Sequence, residues 1–347
     1  MYLSISLLPI LLLLVNTVAA ATETTCNGYD ELCNRRYSNI TYVGAHDSPF
    51  IGSARNSSMT NQDWAVAEQL DHGARMLQGQ IHAQTDSSLH LCHTNCFLHD
   101  GGALLAYLDS VKRWLDEHPR QVVTLLFTNS DGVDVERVAE PFRQSGLLDM
   151  AYVPSDSNRN SWPTLSTLIE NNTRVVIFMD YHANTSKVPA ILDEFDYIWE
   201  DAFNAVDASW PCQVDRGDGE KGMYLHNHYL DKQKSLLGTQ YFTPDIDQLP
   251  TTNAATGEGS LGDGIQGCTA KHGHPPTFVL VDYESHGNGS VYHAAAVANG
   301  LNYHNPGTIH PPKAANEETN SSSSTSTISI STAGSLIGLL VVLIITI

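Results

Sequence analysis

Positive charge is what this chain has least of. Its 347 residues hold 18 Lys plus Arg against 38 Asp plus Glu, a formal net charge of −20. A chain so acidic is a poor ligand for nucleic acid, whose phosphates must be neutralised by Lys and Arg. Charge of either sign is missing from the first 21 residues and from the last 27, Ser321 to Ile347. No G-x-G-x-x-G and no G-x-x-x-x-G-K-[ST] follows a predicted strand, which weakens nucleotide-binding folds, and no repeat of fixed period is present. With 41% apolar and 16% charged residues the middle of the chain is no disordered polyelectrolyte; it is long enough to bury a full core.

The two uncharged ends read as addresses. Residues 1–20 carry an apolar run, Leu7 to Val15, followed by small residues, the pattern of a secretory signal peptide. Residues 311–335 form a Ser/Thr-rich stalk with small residues at Asn320-Ser321-Ser322, and residues 336–347 are a terminal apolar tail. Small site, polar spacer and hydrophobic tail are the signal for a GPI anchor, with attachment expected at Asn320; a tail-anchored helix is the alternative. Six cysteines suit an oxidising compartment. Local spacing predicts Cys26–Cys33 and Cys92–Cys96, which leaves Cys212–Cys268 by elimination. Sequons begin at Asn39, Asn56, Asn171, Asn184, Asn288 and Asn320, and used ones must lie on the surface. These features predict a glycoprotein that is secreted and held at the cell surface, at the plasma membrane or transferred to a cell wall.

Between the ends, residues 21–310, short β-type runs alternate with amphipathic stretches. Eight strands are predicted at Ile40–Val43, Met76–Gln80, Leu89–Leu91, Val122–Phe127, Val175–Met179, Tyr197–Trp199, Met223–Leu225 and Phe278–Val281. The clearest helix runs from Ala103 to Glu117, with Leu104, Leu108, Val111 and Leu115 on one face. Others are predicted at Asn61–Asp71, Val135–Ser145, Leu165–Glu170, Lys187–Glu194 and Val291–Asn299, and residues 240–275 read as a long excursion. This alternation predicts a single-domain α/β fold, a distorted (β/α)8 TIM-type barrel, with a doubly wound open sheet as runner-up.

In a barrel, chemistry gathers at the C-terminal ends of the strands. The first predicted strand leads into Gly44-Ala45-His46-Asp47-Ser48, the third into Cys92-His93, the seventh into His226-Asn227-His228 and the eighth into Asp282-Tyr283. Two histidines in one pocket can serve as general base and general acid near neutral pH. A metal site of His90, Cys92, His93 and Cys96 is the rival reading of the third strand; an oxidising compartment favours a disulfide there instead. His82 and His228 read as pocket wall or surface, Trp199 as core, and Arg216-Gly217-Asp218 as a chance adhesion tripeptide.

The segments YVGAHDSPF, QLDHGARMLQGQIH, LHLCHTNCFL and FVLVDY resemble the X-region of phosphatidylinositol-specific phospholipase C, and most closely the secreted fungal branch of PLC-like phosphodiesterases. The resemblance covers about Cys26 to Leu301. It implies a distorted TIM barrel that hydrolyses a phosphodiester of a phosphoinositide-type or related lipid. In it His46 matches the general base, His93 the general acid, Asp47 the polar residue beside the base, and Asp282 the carboxylate that orients His46. Where bacterial relatives carry an Asp and an Arg on the second strand, and calcium-dependent ones an acidic pair, this chain has Gln78 and Gln80. Neither replaces an Arg or suits Ca²⁺, so no metal or cofactor is expected. Gln78, Gln80, Arg75, Asn227 and Tyr283 are the candidate substrate-binding residues, with Arg75 also placed to cap the preceding helix. The partners implied are a phospholipid or phosphodiester substrate and a membrane through the anchor, for a monomer. The missing cation motivates an alternative: a barrel without turnover that binds surface glycan or lipid. The charge predicts better substrate approach in mild acid, where full protonation of the 16 His would bring −20 to −4.

Overall fold

The computed structural model describes residues 24–54, 59–236 and 239–304; the expected signal peptide, stalk and anchor signal and the sequons at Asn56 and Asn320 lie outside them. The chain runs β1 (Tyr42–Ala45), α1 (Val66–His72), β2 (Met76–Ala83), β3 (Leu89–Cys92), β4 (Asp100–Ala103), α2 (Leu104–Glu117), β5 (Val123–Thr128), α3 (Val135–Ser145), α4 (Leu165–Glu170) and β6 (Val175–Met179). It continues through β7 (Ile191–Asp193), α5 (Glu194–Tyr197), β8 (Ile198–Glu200), β9 (Met223–Asn227), β10 (Asp231–Leu236), β11 (Thr239–Pro244), α6 (Leu249–Thr252), α7 (Leu261–His272), β12 (Phe278–Val281) and α8 (Ser290–Ala298).

Eight strands pair in parallel in the order β7-β6-β5-β2-β1-β12-β9-β8. The sheet curls into a barrel-like half-turn; among the described residues β7 and β8 do not pair, so the barrel stays open there. The strands are apolar runs because both faces are covered. Val123, Leu125 and Phe127 of β5 point outward onto α2 and α3, whereas Leu126 points inward with Phe178 of β6 and Leu280 of β12. Gly44 is required where β1 passes its neighbours, since a Cβ there would lie 2.5 Å from Leu280 Cδ2.

Helix ends follow local chemistry. Asp134 caps α3 by accepting from the Glu136 N–H, Gly146 ends it at φ 80°, and Ser260 caps α7 through the Asp263 N–H. Leu104, Leu108, Val111 and Leu115 bury the apolar face of α2 as their spacing predicts.

Three sequence expectations are corrected. Leu89–Leu91 is not a barrel strand: β3 pairs antiparallel with the far end of β2 and with β4, a side ribbon made possible because β2 runs on past the barrel rim. The eighth barrel strand is instead β7, inside the predicted helix Lys187–Glu194; its Ile191 and Leu192 are buried against β6. The predicted excursion at 240–275 contains β11, which forms a separate two-stranded ribbon with β10, and the capped helix α7. All three predicted disulfides are formed, so the Cys92 and Cys96 sulfurs bind each other and no metal set arises there. Asn39, Asn171, Asn184 and Asn288 are exposed.

Candidate functional site

β1 delivers His46 to the C-terminal rim of the sheet, and β12 delivers Asp282 beside it. His46 Nδ1 lies 2.8 Å from Asp282 Oδ1, and the Asn61 side-chain amide donates to the same oxygen at 2.9 Å. The backbone carbonyl of His46 accepts from Gln62 Nε2 at 2.8 Å, and the Tyr229 ring stacks flat on the imidazole at 3.8 Å between centroids. The imidazole is thus held by its ring nitrogen, its own backbone and one face. Nε2 points at the cavity.

Asp47, next in the chain, turns with φ 47° and is buried. Its N–H donates to Gln78 Oε1 at 2.8 Å, and Gln80 Nε2 donates to both of its carboxylate oxygens at 3.0 and 2.9 Å. Gln80 Oε1 accepts from the Thr94 N–H at 2.9 Å, so one amide joins the loop after β1 to the loop carrying His93. The Cys92–Cys96 disulfide closes that second loop. Asp47 Oδ2 ends 3.7 Å from His46 Nε2 and 3.6 Å from His93 Nε2. Two imidazoles therefore flank one carboxylate at the wall of a single cavity of about 400 Å³.

Their environments push the histidines apart. Burial pulls His46 down, but the Asp282 and Asp47 carboxylates outweigh it and raise the group to about 9. Burial dominates at His93 and lowers it; Asp47 opposes the fall and His46 adds to it. At neutral pH the resting proton is on His46, the reverse of the distribution base and acid need.

Asn227 lines the cavity as expected, and His82 lines it too, paired with Asp131 at 3.1 Å. Gln78 and Gln80 face inward with Met76, yet their amides hold Asp47, Thr94 and Thr128 in place. Arg75 is not in the site. It precedes β2 at the opposite end of the sheet, caps α1 through the Leu70 carbonyl at 2.6 Å, bonds Gln121 at 2.8 Å and lies 5.1 Å over Trp114. Tyr283 is not in it either: it is fully buried, and its hydroxyl bonds Thr60. The rings of Trp199 and Tyr224 stack at 4.6 Å in the core, and His228 is buried between His226 and the Thr252 carbonyl rather than on the cavity wall. Asp201, Cys212, His226 and Cys268 also cluster, but the disulfide takes both sulfurs.

Among the lining residues that sequence reasoning missed are Arg216, Glu194, Glu200, Tyr229 and Asp231. Arg216 is the Lys or Arg found among the cavity's described lining residues, and its only sequence signal was the tripeptide set aside as chance. It pairs with Glu200, approaches Asp180 at 3.5 Å, donates to the Tyr181 hydroxyl at 3.1 Å and lies 4.9 Å over Phe203. Burial lowers the guanidinium, but Glu200, the Tyr181 hydroxyl and Glu194 together outweigh it, and the net shift is upward. Asp231 is pushed up to about 7 by burial first and then by Asp282.

Against known proteins, the model of the PI-PLC X family matches residues 32–302. An uncharacterised secreted protein of Arthroderma benhamiae is 42% identical over 305 residues, covering 82% of this chain and 68% of the relative. A PI-PLC X domain-containing protein 1 of the same organism is 41% identical over 293 residues, covering 83% and 93%. Among solved structures, a mutant of the phosphatidylinositol-specific phospholipase C from Staphylococcus aureus superposes with a TM-score of 0.53 at 17% identity, over 78% of this chain and 95% of that one. That likeness is one of fold.

Proposed function

The chain belongs to the PI-PLC X family, and from that premise we propose that it is an extracellular phosphoric diester hydrolase using His46 as general base and His93 as general acid. The observation that carries this reading is the placement of His46 Nε2 and His93 Nε2 on either side of Asp47 Oδ2, with Asp282 fixing the far nitrogen of His46.

In the reactive state His46 is neutral and His93 protonated. His46 Nε2 takes the proton from a hydroxyl of the headgroup, whose oxygen bonds to phosphorus. As the bond from phosphorus to the lipid alkoxide breaks, His93 Nε2 gives its proton to the leaving oxygen. Where the attacking hydroxyl neighbours the phosphate, as in inositol, the product is a cyclic phosphodiester, which water opens with the two roles exchanged. Asp282 stabilises the imidazolium formed on His46, as the acid of a triad does. Asp47, set by Gln78 and Gln80, stabilises the imidazolium of His93. No metal enters this scheme.

Secretion through residues 1–20 and GPI attachment at Asn320, which releases residues 321–347 with the apolar tail 336–347 among them, would put this activity at the cell surface as a monomer on lipid or glycerophosphodiester substrates. The secreted relative supports the export half of this.

One observation favours a second reading, a barrel that binds surface glycan or lipid without turnover: Arg216 is neutralised by Glu200 and Asp180 rather than free for phosphate. Release of water-soluble phosphate from phosphatidylinositol, and of glycerol from glycerophosphoinositol, separates the two, with His46→Ala, His93→Ala and EDTA as controls. Turnover lost in both variants and kept in EDTA supports the enzyme. A bound ligand with no turnover on a broad phosphodiester panel supports the binding protein.

A further inference from the structure

His46 is gripped on a side that the acid–base scheme does not use. Tyr229 follows β9, and β9 pairs with β12, the strand that delivers Asp282. The residues on either side of Tyr229 are pinned. The His228 N–H donates to the Leu280 carbonyl at 2.9 Å, and the Leu230 carbonyl accepts from the Asp245 N–H at 2.7 Å. The phenol ring is 3% exposed and packs in the inward core with Leu280 and Leu225. It has little freedom to leave the imidazole.

The contact has the geometry of a cation on a ring face. The centroids lie 3.8 Å apart with the planes 8° from parallel, the closest and flattest histidine stack among the described residues. Two neutral rings avoid that arrangement, because their negative faces repel, and settle offset or edge-on at about 4.5–7 Å. A cation over the face reverses the sign. The groups around His46 make it that cation at rest. Asp282 meets Nδ1 from the end of β12, Asp47 lies near Nε2 from the end of β1, and Asp231 opens β10 two residues beyond Tyr229. His93, on the loop after β3, is the competing base on the far side of Asp47. Tyr229 itself stays neutral: burial first, then Asp231, Asp282 and Asp47, push its ionisation up.

We propose that Tyr229 is a positioning residue that holds the proton on His46: its ring face stabilises the imidazolium and so sets the alkaline limit of the reaction. The proposal rests on the phosphodiesterase reading for that consequence, whereas the stack does not depend on it. The proton that His46 takes from the attacking hydroxyl is then met by Asp282 in the plane of the imidazole and by Tyr229 across it. Burial of the imidazole under any side chain pulls its proton affinity down. An aliphatic residue of similar size keeps that burial and removes the attraction, so the two effects separate.

The test is an NMR titration of the His46 ring in the full chain, its resonance assigned by its loss in His46→Ala. The intact chain and Tyr229→Phe, which keeps the face, should titrate within about 0.2 pH unit of each other, and Tyr229→Leu at least about 0.5 pH unit lower. Tyr229→Met repeats the comparison with an unbranched side chain where the Leu variant fails to fold. The fall should persist in an Asp282→Asn background, where a ring that only steadies the Asp282 contact would produce none. An unchanged midpoint in the aliphatic variant, a fall in Tyr229→Phe as large as in that variant, or a shift that vanishes without Asp282 each overturn the proposal. No substrate enters this titration, and the alkaline limb of kcat/KM is scored separately. A limb that moves with the midpoint supports the assignment. One that stays while the midpoint moves removes Tyr229 from the reaction and leaves the enzyme standing, whereas a moved midpoint without turnover removes the enzyme and leaves the stack.

Discussion

His46 Nδ1 and Asp282 Oδ1 meet at 2.8 Å across 236 residues of sequence, because β1 and β12 are neighbours in the sheet. The register pairs Ala45 with Val281, so the next residue of each strand reaches the rim at the same height. The contact fixes which imidazole nitrogen faces the cavity and raises the affinity of His46 for a proton. Replacing Asp282 by Asn keeps the shape and removes the charge. Turnover is expected to fall by about 100-fold or more, measured as kcat on phosphatidylinositol; a change below threefold would sink the orienting role.

The same pair sets the pH dependence. His46 titrates at about 9 and His93 below its ordinary 6.5. The pair holds one proton between those limits, so kcat/KM should form a plateau bounded by an acid limb below 6.5 and an alkaline limb near 9. In Asp282→Asn the alkaline limb moves down. This replaces the expectation from composition that the histidines charge together in mild acid: burial holds His72, His93, His228 and His274 down while carboxylates hold His46 up. A single limb near 6.5 would contradict it.

Stability should fall as pH rises from 6.5 to 9. The folded state raises His46 to about 9, Glu284 to about 8 and Asp231 to about 7. Each is raised, so each contributes stability below its unfolded value and loses it as pH climbs through the folded one. His228, buried neutral, works oppositely and costs stability only below 6.5. The melting temperature is therefore expected to fall between pH 6.5 and 9. Glu284→Gln should flatten the alkaline fall, by a contribution on the order of 2 kcal/mol; an identical slope in thermal melts at pH 6.5, 7.5 and 9 would exclude Glu284 as a source.

Gln80 is expected to matter through Asp47. Gln80→Ala deletes two hydrogen bonds to that carboxylate and the link to the Thr94 N–H. The expected cost is about 1–3 kcal/mol of stability, read by urea unfolding, with kcat reduced about tenfold or more and KM little changed. If Gln80 bound phosphate instead, KM would carry the loss.

Much of this was legible in the sequence, and the failures have physical causes. His46, Asp47 and Asp282 follow parallel neighbours that apolar runs announce, so their convergence follows from a parallel sheet; His93 reaches them from the antiparallel ribbon that β3 forms with the far end of β2. Gln78 and Gln80 share parity with Met76, which placed them inward; what they bond could not be read from parity. β7 was mistaken for helix because a three-residue strand carries too little periodicity to oppose its flanks. Leu89–Leu91 has strand chemistry but the wrong neighbours, which only pairing reveals. Arg216 and Glu194 reach the cavity from loops and a four-residue helix, where no period marks them, while Arg75 was chosen for closeness in sequence to a strand whose other end forms the site.

The most direct test compares kcat/KM for the intact chain, His46→Ala and His93→Ala on phosphatidylinositol and on inositol 4-nitrophenyl phosphate, whose leaving group needs no acid. Both variants should lose about 1000-fold on the lipid; on the nitrophenyl ester His93→Ala should recover to within about tenfold of the intact chain, and His46→Ala should not. Equal losses of the two variants on both substrates, or full turnover in either on the lipid, would contradict the assignment of base and acid.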